Sequence, residues 1–285
     1  MDYRYVQRAA VFVLLLVIAG CAVSKNPVTG DRRLYGYSWE REVEIGRQAD
    51  EQIVAQYGLY ADSATTAYVK RIGHEVLAHS HMRGPDVPEQ FRETEFTFRV
   101  LDSPVVNAFA LPGGFVYVTR GLMAYLENEA QLAVVLGHEI GHVAARHASQ
   151  QALSQRVSQI GVIGGAILGQ EYLGLPAGDL MQLGSQAAQL IQLSYGRDDE
   201  RESDHLGVEY AVKAGYRASE GAGFFSVLER MGEQQGGGLP TFLSTHPDPG
   251  QREQRIQELA AEYTTRPDTL EVGREIYYAH LEGLV

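Results

Sequence analysis

The sequence predicts an α+β fold, predominantly helical, with a small sheet beside one helix that carries the chemistry. Three observations predict it. Residues 96–118 hold short alternating runs, Phe96–Val100 and Phe115–Val118, separated by an extended Asn107–Ala110 and a Gly113-Gly114 turn. After Thr119 the apolar residues recur at helical spacing. There the stretch Val134–His147, VVLGHEIGHVAARH, places three histidines and one glutamate among apolar residues.

The chain has 285 residues, 45% hydrophobic and 21% charged, enough for one large domain or two small ones. Its net charge of −12 excludes a non-specific nucleic-acid role. Arg4 and Arg8 precede an apolar run that ends in small residues, so residues 1–20 have the layout of a signal peptide, too short for a stable span. Ile18-Ala19-Gly20-Cys21 resembles the bacterial lipobox. That resemblance implies cleavage before Cys21 and lipidation of its thiol. The plain alternative is a small buried cysteine behind an ordinary signal peptide. Cys21 is the single cysteine, which excludes an intrachain disulfide framework. Acyl chains would hold the mature domain on a membrane without a spanning helix. Ala22 after the cysteine resembles the outer-membrane type of lipoprotein. An acidic body does not dock on anionic lipid, so the anchoring falls to the lipid.

Residues 21–37, with Asn26-Pro27 and Thr29-Gly30, read as the lipidated N-terminus and a tether, and residues 38–265 as the folded domain. Ser38 is a suitable N-cap for a helix to about Tyr57. A second helix is expected from Ser63 to about His79. Arg83–Glu89, with Gly84, Pro85 and Pro88, reads as a loop. The three strands follow, and then Asn128 caps the helix of the histidines, with Glu129 favourable in its first turn. Residues 154–195 read as an inserted helical hairpin broken at Gly174–Gly178, either a lid or plain core. Gln235–Gly238 is a loop, about Gln251–Tyr263 a closing helix, and 266–285 a C-terminal tail.

His138 and His142 are one helical turn apart and share a face with Val134, Val135 and Ala145. Two imidazoles on an apolar stripe need partners or a metal. At this spacing they can offer two nitrogens to one Zn²⁺, and Glu139 sits beside them within reach of a metal-bound water. His147 falls on the opposite side of a continuous helix and reads as a structural histidine, not a ligand. A hydrolytic zinc needs a third protein ligand and an open position. The acid-rich stretch Tyr195–Gly207 supplies candidates. One stripe of it runs Glu200, Asp204, Gly207 or Val208, Ala211, Gly215. It is small and apolar apart from its two acids, so it can pack on another helix. Glu200 as ligand and Asp204 as acceptor from a ligand histidine would satisfy both buried carboxylates. Asp198, Asp199 and Glu202 read as solvated charges.

His138-Glu139-Ile140-Gly141-His142 followed by Glu200-x-x-x-Asp204 resembles the zinc metallopeptidases of the HtpX, BepA and LoiP type, relatives of the CAAX prenyl proteases. The resemblance runs from about Asn107 to His246 and includes Gly113-Gly114 and Ser244-Thr245-His246-Pro247. It implies a gluzincin-type metallopeptidase domain over 38–265, one zinc per chain held by His138, His142 and Glu200, and Asp204 behind them. The mature chain lacks the spanning segments of the HtpX branch. After His246 there is room for about one helical repeat and not an array. The LoiP-like lipoproteins are the better match.

The expected activity is a membrane-anchored periplasmic endopeptidase with Glu139 as general base. Tyr195, Arg201 and His246 are candidates to stabilise the oxyanion, and His246 could instead occupy the metal's open position and hold the enzyme latent. Substrate would bind as a strand along Asn107, Ala108, Phe109 and Ala110. Unfolded or misassembled envelope proteins are the expected substrates and the membrane the expected partner, with no nucleic acid. The alternatives are a zinc-binding chaperone or scaffold that binds such chains without cutting them, and a structural lipoprotein without metal.

Overall fold

The computed structural model describes residues 22–158, 195–234, 241–246, 252–263 and 269–281. The signal peptide, Cys21, the centre of the expected helical hairpin, the Gln235–Gly238 loop and Pro247 lie outside the described residues. The elements in chain order are β1 (Ala22–Lys25), β2 (Arg32–Tyr35), α1 (Trp39–Tyr57), α2 (Ser63–Ala78), α3 (Glu89–Arg92), β3 (Thr97–Leu101), β4 (Ala108–Leu111) and β5 (Phe115–Thr119). They continue with α4 (Arg120–Met123), α5 (Glu129–Ala145), α6 (Arg197–Lys213), α7 (Gly221–Gln234), α8 (Thr241–Thr245), α9 (Arg252–Tyr263) and α10 (Arg274–Ala279).

Helix starts follow local chemistry. The Ser38 side chain accepts from Arg41 N, the Asp62 side chain from Thr65 N and the Asn128 side chain from Gln131 N. The three-stranded sheet has the order β3-β5-β4, with β3 parallel and β4 antiparallel to β5. Strand β4 is therefore an edge. The tight β4–β5 connection is possible because Gly113 (φ +81°) and Gly114 (φ +98°) adopt conformations closed to most side chains.

Every residue of α5 is buried. That explains its sequence: a helix apolar on all sides belongs at the centre of a fold. It packs on α6, α2, α7 and β4. The core around it joins Ile72 and Val76 of α2, Phe98, Val116 and Val118 of the sheet, and Leu132, Leu136 and Ile140 of α5.

Two segments differ from expectation. The stretch read as a tether forms the antiparallel hairpin β1–β2, in which Val23 pairs with Leu34. Its turn is held by Asn26, whose buried side chain accepts from Val28 N and donates to Ala145 O. The stretch read as a tail folds back: Val272 O and Gly273 O accept from Ala130 N and Glu129 N, two otherwise unpaired donors in the first turn of α5, and buried Tyr277 donates to Met123 O. No helix of the described residues is long and apolar enough to cross a membrane.

Candidate active site

The site lies where α5 crosses α6. The crossing is close because glycine faces glycine. A Cβ on Gly207 would lie 2.8 Å from His138 N, and one on Gly137 would lie 2.8 Å from Gly207 O. That approach brings His138, Glu139 and His142 of α5 against Glu200 and Asp204 of α6. His246 joins them from the end of α8, and none of these six side chains is more than 2% exposed.

His138 Nε2 lies 3.0 Å from His142 Nε2, 3.2 Å from His246 Nδ1 and 3.5 Å from Glu200 Oε2. Glu200 Oε1 lies 3.4 Å from His142 Nε2 and 3.0 Å from His246 Nδ1. The ligand atoms of His138, His142, Glu200 and His246 all fall within 4.8 Å of one another. On its outer side, His138 Nδ1 is 3.1 Å from Asp204 Oδ1 and His142 Nδ1 is 3.0 Å from His147 Nδ1.

This arrangement fits a zinc ion by its own chemistry. The outer nitrogen of His138 faces Asp204 Oδ1 at 3.1 Å, with Arg252 Nη2 3.2 Å away; donating its proton to the carboxylate leaves Nε2 as a lone pair. His142 turns its Nε2 to the same point. With their protons on the outer nitrogens, the two rings turn Nε2 lone pairs to one point, 3.0 Å apart, where a cation would accept both. Two imidazoles and a carboxylate form a donor set that suits Zn²⁺.

Titration follows the same geometry. Burial pushes the Glu139 carboxyl up, against the pull of His246 and His138, and neither of its oxygens has a hydrogen-bond partner among the described residues. For Glu200 burial acts upward too, but His246, His142 and His138 overcome it and hold the carboxyl far below the usual range. Asp204 is likewise held down, against burial, by Arg252 and His138. Burial holds His142 well below its ordinary value, so its ring stays neutral, as a metal ligand must be.

Several side chains stand where the sequence did not place them. Arg252, buried on α9, donates from Nη1 to Glu200 Oε2 at 3.1 Å and from Nη2 to Asp204 Oδ1. Arg255 Nη1 donates to Asp204 Oδ2 at 2.9 Å. The only local sign of Arg252 and Arg255 is that they lie one turn apart on the closing helix. Arg201, an oxyanion candidate, is exposed and pairs with Asp198 instead, because it points off the solvent side of α6. Glu202 is not fully solvated: its Oε2 lies 3.0 Å from His147 Nε2. Tyr195 stacks on the His142 ring at 4.0 Å. Of the four strand candidates, Asn107 precedes β4 and Ala108, Phe109 and Ala110 lie within it, and Ala110, Leu111 and Pro112 line a small cavity together with His142, Arg146 and Tyr195.

Comparisons with known proteins agree with this geometry. The profile described as Peptidase family M48 matches residues 63–261. The chain is 28% identical over 255 residues to the mitochondrial metalloendopeptidase OMA1 of Schizosaccharomyces pombe, covering 88% of this chain and 70% of the relative. It is 30% identical over 207 residues to the putative beta-barrel assembly-enhancing protease of Vibrio cholerae, covering 71% and 40%. It is 31% identical over 256 residues to the mitochondrial metalloendopeptidase OMA1 of Bos taurus, covering 87% and 48%. The chain thus spans less than half the length of the latter two relatives.

Proposed function

The chain belongs to peptidase family M48, and from that premise we propose that it is a zinc endopeptidase that hydrolyses unfolded or misassembled envelope proteins while tethered to a membrane through Cys21. The observation that carries the catalytic part is the convergence of two Nε2 atoms at 3.0 Å beside a buried Glu139 whose oxygens make no hydrogen bond among the described residues and whose Oε1 lies 3.5 Å from His246 Nε2.

His138, His142 and Glu200 would hold the metal. Bound zinc supplies Lewis-acid polarisation and brings a water's pKa towards about 7. Glu139 takes the proton of the attacking water and passes it to the leaving amine. Its raised pKa suits a group that must hold a proton between those two steps. Asp204 keeps the His138 ring in one tautomer and orientation. Arg252 and Arg255 balance the charge of the two buried carboxylates. Convergence of a third ring nitrogen supports His246 as a fourth ligand of a resting site, occupying the position that substrate needs.

Substrate enters as a strand beside β4. Support comes from its edge position and from the cavity that joins its end to His142. Main-chain pairing supplies affinity with little sequence preference, which suits unfolded chains. The name beta-barrel assembly-enhancing protease of one relative favours an envelope role, and the lipobox-like Cys21 favours a lipid tether at the outer membrane.

The test is zinc content and casein cleavage by the chain beginning after Cys21, beside Glu139→Gln and Glu200→Ala. About one zinc per chain, zinc-loaded but inactive Glu139→Gln and zinc-poor Glu200→Ala are expected. Cleavage that survives in Glu139→Gln would sink the assignment of the base. Tight binding of unfolded chains by wild type with no cleavage would favour the scaffold alternative. Palmitate labelling that is lost in Cys21→Ser checks the tether.

A further inference from the structure

We propose that His147 is a positioning residue for the metal site, fixing the tautomer and ring plane of His142 through a relay that ends at Glu202. The proposal rests on the zinc-site reading above and goes beyond it, since His147 touches neither metal nor substrate.

The relay depends on a break in the helix. On a continuous helix His147 would point away from His142, because five residues advance about 500°, which leaves the two side chains about 140° apart. The chain instead breaks at Arg146, which has φ +61° and ψ +38°, the sole left-handed residue other than glycine among the described residues. Helical structure resumes over 147–158. A side chain rarely accepts this conformation unless its surroundings impose it. Here they do. The buried Arg146 guanidinium lies 3.7 Å over the Tyr35 ring, donates to Tyr37 O at 2.9 Å, and donates from Nε to the Glu42 carboxylate at 2.9 Å. The break turns His147 back onto the outer edge of His142.

With zinc bound, one assignment of protons satisfies the line from His142 through His147 to Glu202. His142 turns Nε2 to the metal position, so its proton sits on Nδ1 and is donated to His147 Nδ1 at 3.0 Å. His147 must then be bare at Nδ1 and protonated at Nε2, which faces Glu202 Oε2 at 3.0 Å. Ser203 Oγ lies 3.4 Å from the same Nδ1. The two ligand histidines are thus supported unequally. His138 rests directly on a buried carboxylate, whereas His142 reaches its carboxylate through a second imidazole.

Zinc affinity by chelator competition, with imidazole ¹⁵N shifts of the zinc-loaded protein, tests the relay. His147→Ala should bind zinc about 10- to 100-fold more weakly, the range for losing a hydrogen-bond partner behind a metal ligand. His147→Gln, which can accept from His142 and donate to Glu202, should recover most of that loss. Glu202→Gln, at a half-buried site that tolerates change, should weaken zinc by a smaller factor and covers the case in which His147→Ala does not fold. Affinities within twofold of wild type in His147→Gln and Glu202→Gln, with a comparable value in any folded His147→Ala, would overturn the proposal. So would nitrogen shifts that place the proton of His142 on Nε2 or that of His147 on Nδ1. Wild-type protein that takes up no zinc would sink the metallopeptidase reading and the relay with it, whereas zinc uptake with the affinities or shifts just named would overturn the relay alone.

Discussion

His138 and His142 turn their Nε2 atoms towards one another at 3.0 Å, and their outer nitrogens face Asp204 and His147. A cation held by both nitrogens binds the native chain and not the unfolded one. Zinc should therefore stabilise the fold as well as activate it. At free zinc a thousandfold above Kd the expected gain is about 4 kcal/mol, or roughly 10 °C in Tm for a domain of this size. Thermal unfolding with and without a chelator, followed by zinc add-back, measures it. An unchanged Tm after complete zinc removal would contradict this account.

Arg252 donates to Glu200 and Asp204 at once and lies 4.2 Å over the Phe225 ring. Removing it leaves two buried carboxylates short of a cation. Arg252→Ala should cost about 3–5 kcal/mol, the range for breaking a buried ion pair from one side. Urea unfolding of the metal-free variant isolates this from any effect on zinc.

Gly207 sets the distance between the two helices that carry the ligands. Its would-be Cβ meets backbone of α5, which cannot swing aside like a side chain. Gly207→Ala should destabilise by about 1–3 kcal/mol, as overpacking does, and weaken zinc binding in parallel. A Gly215→Ala control meets nothing within 4 Å but has φ +95°, so it should lose stability through backbone strain and keep its zinc affinity.

Buried tyrosines give a pH dependence of known sign. Burial raises the pKa of Tyr68, Tyr117, Tyr210, Tyr216 and Tyr277 above the ordinary value of 10.0, and Glu129 adds to this at Tyr68 and Tyr216, as Asp50 does at Tyr117. Above pH 10 the unfolded chain releases these protons and the native chain keeps them. Stability is therefore full below pH 10 and falls as pH rises beyond it, by up to about 1.4 kcal/mol per pH unit for each group. Tm against pH should bend down near 10, and less steeply in Tyr68→Phe. A flat profile to pH 11 would show that the hydroxyls titrate freely.

The proposed role of His246 is to separate a resting from a working site. As a fourth ligand, its loss in His246→Ala should leave about one zinc per chain and raise casein cleavage. Zinc kept with cleavage cut roughly 100-fold would make it an oxyanion donor instead. Unchanged cleavage would remove both roles.

The elements that build the site leave clear periodic traces, and those traces place them well. The helix of His138, the three strands and the α6 stripe of Glu200, Asp204 and Gly207 all lie within a residue or two of expectation. What escaped were features with no local period. The left-handed turn at Arg146 depends on Glu42 and Tyr35, which are remote in sequence, so no spacing rule could bring His147 back onto His142. Nothing local marks Arg252 and Arg255, because their partners lie on α6. The hairpin β1–β2 has strands of only four residues, too short for alternation to stand out from a tether.

The order in which these groups emerge during synthesis has a consequence of its own. His138 and His142 come first, Glu200 and Asp204 next, and the guanidinium of Arg252 only after them. A nascent chain that has not yet reached residue 252 must seat two carboxylates in an apolar interior without a counter-charge. Until then the helix crossing closes at a cost that Arg252 later offsets. A growing polypeptide is itself an unfolded chain within reach, so a site whose charge balance is completed late in synthesis is least competent while its own chain is most exposed.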